Sequence, residues 1–447
     1  MSAQNTLSKI LPICKKIGVT RVSDMTFMDK LYIPNFSAIL PGTEDTIWFY
    51  GGKGPTKLEA KVSALMEAIE RYSSLTNSYS RSIIQGSYIE LSKSYSKVIH
   101  PNEVVEPINP NYDDEDVIMD FLLGFDLLNN EEVLIPAEIA LYKYSPKFPS
   151  ICAFSHSHTN GLASGNVLEE SISHSLCEII ERDALSIADL STSSIPYNIL
   201  ENILYSLEKQ QNYQFSISQD LADKFVDDSS IFPDVDISEI TKEIDVINGI
   251  IKRFSNAGIP LLIKDITQKD IGIPTFVASS VEWVTSDYGY FAKGSGTHPD
   301  ARIALLRAIT ELSQTRAVNI QGARDDLKRI KYKENDDIIK RKWQFMPNSS
   351  LSSLTQLHKN MIKFSEINTY SNSDILDDIH VILCGLKKAG LKRAIVVDLT
   401  NPDIEIPVVR TIVPGLETFE VTKSIMGQRA KRYFKKLFTK KYDERKI

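Results

Sequence analysis

The stretch HSLCEIIERDALS, residues 174–186, decides the fold, because its key side chains occur a second time in SALMEAIERYSSL, residues 63–75. Superposing the two segments aligns a leucine, an isoleucine, two glutamates and an arginine, so both contain the pattern E-x-x-E-R. A third copy, with glutamine in place of the second glutamate, lies in ALLRAITELSQTR, residues 304–316. The sequence therefore repeats one helical unit three times.

A glycine-rich segment precedes each copy. These segments are GGKGPTKLE at 51–59, NGLASGNVLE at 160–169 and AKGSGTHPDA at 292–301. In the first, Thr56 and Glu59 have the spacing of an N-cap residue and a carboxylate that reaches back to it, and Asn166 and Glu169 repeat this spacing in the second. Each unit is thus predicted to be a glycine-rich loop, an N-cap and a helix, with the three helices at about 55–75, 166–188 and 299–320.

The predicted helices carry stripes of acidic and polar side chains. The first stripe contains Glu59, Ser63, Glu67 and Glu70, and the second contains Glu170, His174, Glu178 and Glu181. Carboxylates three or four residues apart repel one another by a few tenths of a kcal/mol per pair, roughly. One such stripe is typical of a solvent-facing helix with Glu–Arg pairs, and this remains the alternative interpretation. Three stripes favour a shared counter-ion.

A hard divalent cation, usually Mg²⁺, suits clustered carboxylates. Arg71, Arg182 and Arg307 would donate to phosphate oxygens, so the units together predict a Mg–nucleotide site built from several helices. From Thr56 to Glu67 is about 16 Å along a helix, so we expect loops and carboxylates of different units to meet. Neither a GxxxxGK[ST] loop nor a kinase signature occurs, which excludes both of those phosphate-binding types.

Composition narrows the remaining function classes. The 447 residues carry a net charge of −7, which argues against non-specific nucleic-acid binding. A basic tail at 428–447 is interpreted as a solvated helix face or a partner contact, with RNA binding as the alternative, and an acidic segment at 205–240 as a variable insertion or mobile loop. The sequence lacks signal-peptide and membrane-span patterns, so we expect a cytoplasmic location. The segment CAFSHSH, 152–158, fits no common zinc pattern and is interpreted as a strand edge with a polar loop.

Periodicity predicts the other elements. Further helices are expected at 7–17, 240–257 and 376–388, and strands in SAILP, EVLIP, GIPLLIKDIT, GIPTFVASSVEW, RAIVVDL and PVVRTIV. His174 and His298 lie beside the repeated units. A buried or capping histidine is the favoured interpretation of each, with a proton-transfer role as the alternative.

The three units are similar to the three signature segments of the YcaO family, and TRVSDMTFMDKLYIPNFSAILP and VVRTIVPGLE also resemble members of that family. The resemblance covers about residues 18–417. It implies an α/β (mixed α+β) ATP-binding fold with three Glu-bearing helices around one nucleotide site. We expect one large domain over 1–447, often dimeric in this family.

The resemblance also implies site residues and cofactors, namely ATP and Mg²⁺. Metal ligands would be Glu67, Glu70, Glu170, Glu178, Glu181 and Glu311. Nucleotide and phosphate contacts would be Lys53, Ser63, Arg71, Asn166, Arg182, Arg307 and Gln314. The resemblance leaves any directly catalytic side chain unidentified.

The implied reaction is ATP-dependent activation of a peptide backbone amide. External sulfide would then give a thioamide, with a glycine of methyl-coenzyme M reductase as the candidate target and a TfuA-like protein as partner. A Cys, Ser or Thr side chain would instead give an azoline. The ending KKYDERKI lacks the Pro-x-Pro-x-Pro tail common in azoline-forming members, which favours the thioamide. A non-catalytic ATP-binding accessory protein is the third hypothesis.

Overall fold

A computed structural model describes residues 1–43, 48–75, 81–104, 115–144, 158–192, 232–236, 238, 245–285, 288–321, 361–418 and 427–433. Its helices are α1 (Ala3–Ile17), α2 (Lys57–Ser74), α3 (Tyr88–Ser94), α4 (Ala137–Ala140), α5 (Leu168–Thr192), α6 (Asp245–Ala257), α7 (Ala301–Gln321) and α8 (Ile375–Lys388), with 3-10 turns at Thr26–Met28, Pro101–Glu103 and Phe364–Glu366. Its strands are β1 (Arg21–Asp24), β2 (Asn35–Ile39), β3 (Phe49–Lys53), β4 (Ile84–Gly86), β5 (Met119–Asp126), β6 (Glu131–Pro136), β7 (Leu162–Ser164), β8 (Asp234–Val235), β9 (Leu262–Asp265), β10 (Thr275–Thr285), β11 (Tyr288–Thr297), β12 (Met361–Ile362), β13 (Ile395–Asp398) and β14 (Val408–Ile412).

The strands form three sheets, and each repeated helix packs on a different one. The sheets run β1-β2-β3, β11-β10-β9-β8-β12 and β4-β5-β13-β14-β7, with β6 beside β5. Within them all pairs are antiparallel except β8 with β12. Helix α2 packs on β2 and β3, α5 on β7 and β14, and α7 on β10 and β11. The mixed fold class predicted from the sequence is confirmed.

The repeated helices agree closely with their sequence predictions. The helices expected at 55–75, 166–188 and 299–320 are α2, α5 and α7. Glu67, Glu178 and Glu311 each lie ten residues after the first residue of their helix, so the three copies are in the same register. Thr56 caps α2 as predicted, because its hydroxyl accepts a 3.2 Å hydrogen bond from the Glu59 N–H.

The predicted glycine-rich loops are wrong, because their glycines lie in or beside strands β3, β7 and β11. The strand lies so close to its own helix that a side chain would not fit. A Cβ added to Gly52 would be 2.1 Å from the Ala60 carbonyl oxygen, and one added to Gly296 would be 2.0 Å from that of Ala304. These glycines therefore allow the strand to pack on a small-residue helix face, and the repeated unit is strand, turn and helix.

Several predictions fall outside the described residues. They are residues 152–157 of CAFSHSH, most of the acidic segment 205–240, and 434–447 of the basic tail. Among the residues that are described, no helix has the length and apolarity needed to cross a membrane. Cys14 and Cys177 are buried, Cys384 is exposed, and all three are free thiols.

Candidate functional site

Helices α2, α5 and α7 bring their carboxylates within electrostatic reach of one another. Glu70 of α2 interacts with Glu178 of α5. Glu178 and Glu181 of α5 both interact with Glu311 of α7. The three helices therefore converge through the face that carries the repeated glutamates.

Strand residues of one unit hold the carboxylates of another. Ser164 of the second unit donates its N–H to Glu70 of the first over 3.1 Å. Ser295 of the third unit lies 2.7 Å from Glu181 of the second through its hydroxyl. Lys53 of the first unit forms an ion pair with Glu311 of the third. The expectation that residues of different units meet is confirmed.

Strand residues also contact the glutamate of their own unit. The sequence analysis did not predict these contacts, because it considered only the distance of about 16 Å along the helix from Thr56 to Glu67. The Ser295 N–H donates to Glu311 over 3.3 Å. The Gly51 N–H donates to Glu67 in the same way. The reason is that each strand precedes its helix by a tight turn and runs back along it. Residues sixteen apart in sequence therefore become neighbours.

Glu181 and Glu311 share one hydroxyl group, and the charge of each acts on the other. The Ser295 oxygen lies 2.7 Å from Glu181 and 3.0 Å from Glu311. Burial and the charge of Glu311 raise the pKa of Glu181, whereas Lys53 and Arg182 outweigh burial and lower the pKa of Glu311. A hydroxyl has one proton to donate, so this geometry is satisfied when Glu181 is protonated and Glu311 is ionised.

The second cluster of carboxylates surrounds Arg71. Burial raises the pKa of Glu70 to about 8, with repulsion from Glu67 and Glu178 opposing the attraction of Arg71. Burial raises the pKa of Glu67 and of Glu178 as well. Arg71 approaches Glu67 at 3.5 Å on the same helix. Its Nε–H is buried without a hydrogen-bond partner among the described residues.

The cluster is enclosed by protein but remains open to solvent. The side chains of Glu67 and Glu311 keep 31% and 27% of their accessible surface, and that of Lys53 keeps 25%. Glu181 is buried at 9%. A small cation or a phosphate group can therefore reach these atoms, which a closed core would prevent.

Glu170 and Asn166 form a separate part of the site at the start of α5. The Glu170 carboxylate accepts hydrogen bonds from the Asn166 backbone and side-chain amides at 2.9 and 3.0 Å. The predicted pairing of Asn166 with Glu169 is therefore wrong. Glu170 precedes Glu178 by eight residues, about 12 Å of helix, so one cation cannot bind both.

The other predicted contacts line the same helix faces. Ser63 is half-buried on α2, four residues before Glu67. Arg182 interacts with Glu178, Glu181 and Glu311. Gln314 lies against Gly51, where an added Cβ would be 2.3 Å from its side-chain nitrogen.

Arg307 of α7 links its helix to the strand before it and to two histidines. It donates to the Thr297 carbonyl oxygen over 2.9 Å. His298 is buried, and its Nδ1 accepts the Asp300 N–H at 2.9 Å, so the capping prediction is confirmed for this residue. His174 is exposed, so a buried position is wrong for it. Partial desolvation by the surrounding protein and the charge of Arg307 lower the pKa of both imidazoles.

Sequence reasoning missed Arg410 on β14. Its guanidinium donates to the His158 carbonyl oxygen over 2.8 Å and interacts with Glu70 and Glu178. Arg410 is only 3% exposed, and burial lowers its pKa to about 10. Its Nε–H has no hydrogen-bond partner in the described part of the chain. The sequence does contain a signal that could have identified Arg410, because it is the one charged residue in the strand segment VVRTIV.

The carboxylate oxygens suit Mg²⁺ as ligands, although the described carboxylates stand too far apart to bind one ion together. Carboxylates from three helices are hard oxygen donors. Burial raises the pKa of Glu67, Glu70 and Glu178, and repulsion from neighbouring carboxylates adds to this for Glu70 and Glu178. Within the residues described, however, no three acidic, histidine or cysteine side chains are close enough together to hold a metal ion as they stand. Lys53, Ser164 and Ser295 instead engage the carboxylates singly or in pairs.

Comparison with relatives supports the sequence resemblance. The sequence is 31% identical over 424 residues to an uncharacterized protein of Methanothermobacter thermautotrophicus, covering 92% of this chain and 93% of that protein. It is 27% identical to an uncharacterized protein in the tfuA 3′ region of Rhizobium leguminosarum bv. trifolii, covering 92% of this chain and 87% of that protein.

Solved structures share the fold. YcaO from Methanopyrus kandleri, bound with AMPPCP and Mg²⁺, has a TM-score of 0.64 at 19% identity and covers 96% of this chain and 94% of its own. A heterocyclase in complex with substrate and cofactor has a TM-score of 0.69 at 20% identity, covering 94% of this chain and 53% of its own. The profile of the family described as YcaO cyclodehydratase, ATP- and Mg²⁺-binding, matches residues 51–417. The chain belongs to the YcaO family, whose domain binds ATP and Mg²⁺.

Proposed function

We propose that this protein uses ATP and Mg²⁺ to activate a backbone amide of a peptide or protein, and that it installs a thioamide with an external sulfur donor. The observation that carries the first part is the convergence of carboxylates from three helices, with Lys53 and three arginines around them. Phosphoryl transfer needs little covalent chemistry from the protein, and such an arrangement supplies what it does need, which is positioning and charge neutralisation.

Each proposed role follows from the chemistry of the side chain. The metal ligands are Glu67, Glu70, Glu170, Glu178, Glu181 and Glu311. The nucleotide and phosphate contacts are Lys53, Ser63, Arg71, Asn166, Arg182, Arg307 and Gln314. Mg²⁺ bound there would neutralise phosphate charge during transfer. Because Glu170 is about 12 Å from Glu178 along α5, the two belong to different ends of an extended ligand or to different cations.

The reaction balances with sulfide as co-substrate. Hydrosulfide adds to the amide carbon, and the carbonyl oxygen becomes the oxyanion of a tetrahedral adduct. That oxygen attacks the γ-phosphorus of ATP, and ADP leaves. The C–O bond then breaks as the S–H proton is lost and the C=S bond forms, and the phosphate leaves with that proton as hydrogen phosphate. The chain's arginines and Lys53 would hold the phosphate oxygens through these steps.

The relative encoded in the tfuA 3′ region supports the thioamide product and a TfuA-like partner. A glycine of methyl-coenzyme M reductase is the proposed target. The structural similarity to a heterocyclase supports the second candidate function, an azoline-forming cyclodehydratase acting on Cys, Ser or Thr of a ribosomal peptide. In that reaction the side chain of the substrate replaces sulfide as the nucleophile. A homodimer is the proposed assembly for either activity.

One incubation distinguishes these products. The protein is mixed with ATP, Mg²⁺, sulfide and a glycine-containing target peptide or a Cys/Ser/Thr-rich peptide, with and without a TfuA-like protein. Mass spectrometry of the peptide shows exchange of oxygen for sulfur if a thioamide forms, and loss of water if an azoline forms. Glu178→Gln should abolish both the mass change and phosphate release. Nucleotide binding without any turnover would establish the third hypothesis, a non-catalytic accessory protein.

A further inference from the structure

The threefold repeat places His174 at a position that matches two proposed phosphate contacts. Ser63, His174 and Arg307 each lie six residues after the first residue of their helix and four before the first glutamate. They are therefore one and the same position in three copies of the unit. Ser63 and Arg307 are already proposed to contact the nucleotide, whereas His174 has no proposed role.

The surroundings of His174 are those of a binding residue. It is exposed, although Ser173 and Ser175 on either side of it are only 8% and 0% exposed, so the imidazole points away from the core. It interacts electrostatically with Lys53, Arg307 and Glu311, which belong to the first and third units. His174 of the second unit therefore faces the region where the three units meet.

The chemistry of this region favours an anion as the ligand. Protein surrounds the His174 imidazole closely although the side chain keeps solvent access; this partial desolvation and the charges of Arg307 and Lys53 lower the pKa of His174 to about 3, so the imidazole is neutral at physiological pH. A neutral imidazole carries one N–H donor and one acceptor nitrogen. Because Lys53 and Arg307 are within electrostatic reach of His174, the donor is suited to an oxygen of a multiply charged anion.

We infer that His174 is a further nucleotide-binding residue, whose imidazole N–H donates to a phosphate oxygen of ATP between Lys53 and Arg307. The inference rests on the proposed function, because it places the ligand in the same site. It also gives the second unit the contact that Ser63 and Arg307 give the first and third.

The test compares His174→Leu, which removes the donor, with His174→Gln, which keeps an N–H donor of similar reach. His380→Leu is the matched control, since His380 is an exposed histidine on α8 outside the site. Affinity for AMPPCP with Mg²⁺ is measured by calorimetry, and the thermal midpoint of each variant is recorded. We expect His174→Leu to weaken binding about tenfold, as loss of one hydrogen bond to a charged group should.

His174→Gln should bind within about threefold of the original protein, and His380→Leu should bind unchanged, with equal thermal midpoints for all three. Unchanged affinity in His174→Leu would overturn the inference. Equal losses in the leucine and glutamine variants, together with a lower midpoint, would also overturn it by indicating a structural role. Intact AMPPCP binding by the original protein without peptide modification would refute the proposed function and leave this inference standing.

Discussion

Binding of Mg²⁺ with a nucleotide should release protons, because carboxyl groups proposed as metal ligands hold protons in the metal-free protein. Burial, together with repulsion from Glu67 and Glu178, raises the pKa of Glu70 to about 8. Such a group is about nine-tenths protonated at pH 7 and about one-tenth protonated at pH 9. Mg²⁺ binds only the ionised form, so Glu70 should contribute about 0.9 released proton at pH 7 and about 0.1 at pH 9. Affinity should rise with pH across this interval.

The number of protons is measured by calorimetry of Mg–AMPPCP binding in two buffers that differ in ionisation enthalpy. Comparison with Glu70→Gln isolates the proton of Glu70, because protons from the nucleotide and from the Glu181–Glu311 pair are common to both proteins. The difference between the two proteins should be about 0.9 proton at pH 7 and about 0.1 proton at pH 9. Equal proton release by both proteins at pH 7, with binding intact, would refute the assigned protonation or the role of Glu70 as a ligand.

Three further predictions concern stability. Gly296→Ala should lower the thermal midpoint because its Cβ would be 2.0 Å from a helix carbonyl oxygen, whereas Gly249→Ala, where nothing lies within 4 Å, should raise stability by up to about 1 kcal/mol. Arg429→Met should lower the free energy of unfolding, measured in urea, by about 3–5 kcal/mol, because it leaves the fully buried Asp183 carboxylate without its ion-pair partner. If this is the cause, the double variant with Asp183→Asn should recover stability. Because the pKa of Glu70 is raised from 4.5 to about 8 on folding, the folded chain binds more protons within that window, and the metal-free thermal midpoint should fall as pH rises through it; a rising midpoint would contradict this sign.

Helices and their register could be predicted from the sequence, but the contacts between units could not. The spacing of Glu67, Glu178 and Glu311 within similar segments is local information, and so is the Thr56 cap. The contacts of Ser164 with Glu70 and of Ser295 with Glu181 depend on where three separate sheets place their strands. The glycine-rich segments were wrongly predicted as loops for the same reason. A Gly-rich segment predicts a loop when only its own conformation is considered, and a strand when the helix behind it is known.

Arg410 was missed as a site residue for a different reason. Its strand was predicted, and the burial of Val409 and Thr411 beside it explains why the segment is easily interpreted as core. A buried arginine is costly unless other charges compensate it. The compensating charges, Glu70 and Glu178, are more than two hundred residues away in the sequence. A lone charged residue within an apolar strand therefore indicates that oppositely charged residues from distant parts of the sequence lie near it in the fold.

The third unit lacks the second glutamate and the following arginine, and the structure shows what this changes. Its remaining carboxylate, Glu311, is neutralised by Lys53 from the first unit, whereas Glu67 is paired with Arg71 of its own helix. Under the proposed roles, a cation that binds Oε2 of Glu311 competes with the Lys53 ammonium group, which contacts the same oxygen atom. The displaced charge is then next to the phosphates that arrive with the cation. Metal and nucleotide would therefore bind together more tightly than either alone. The cation frees Lys53 to bind the phosphates, and the phosphates compensate the ammonium charge that the cation has displaced.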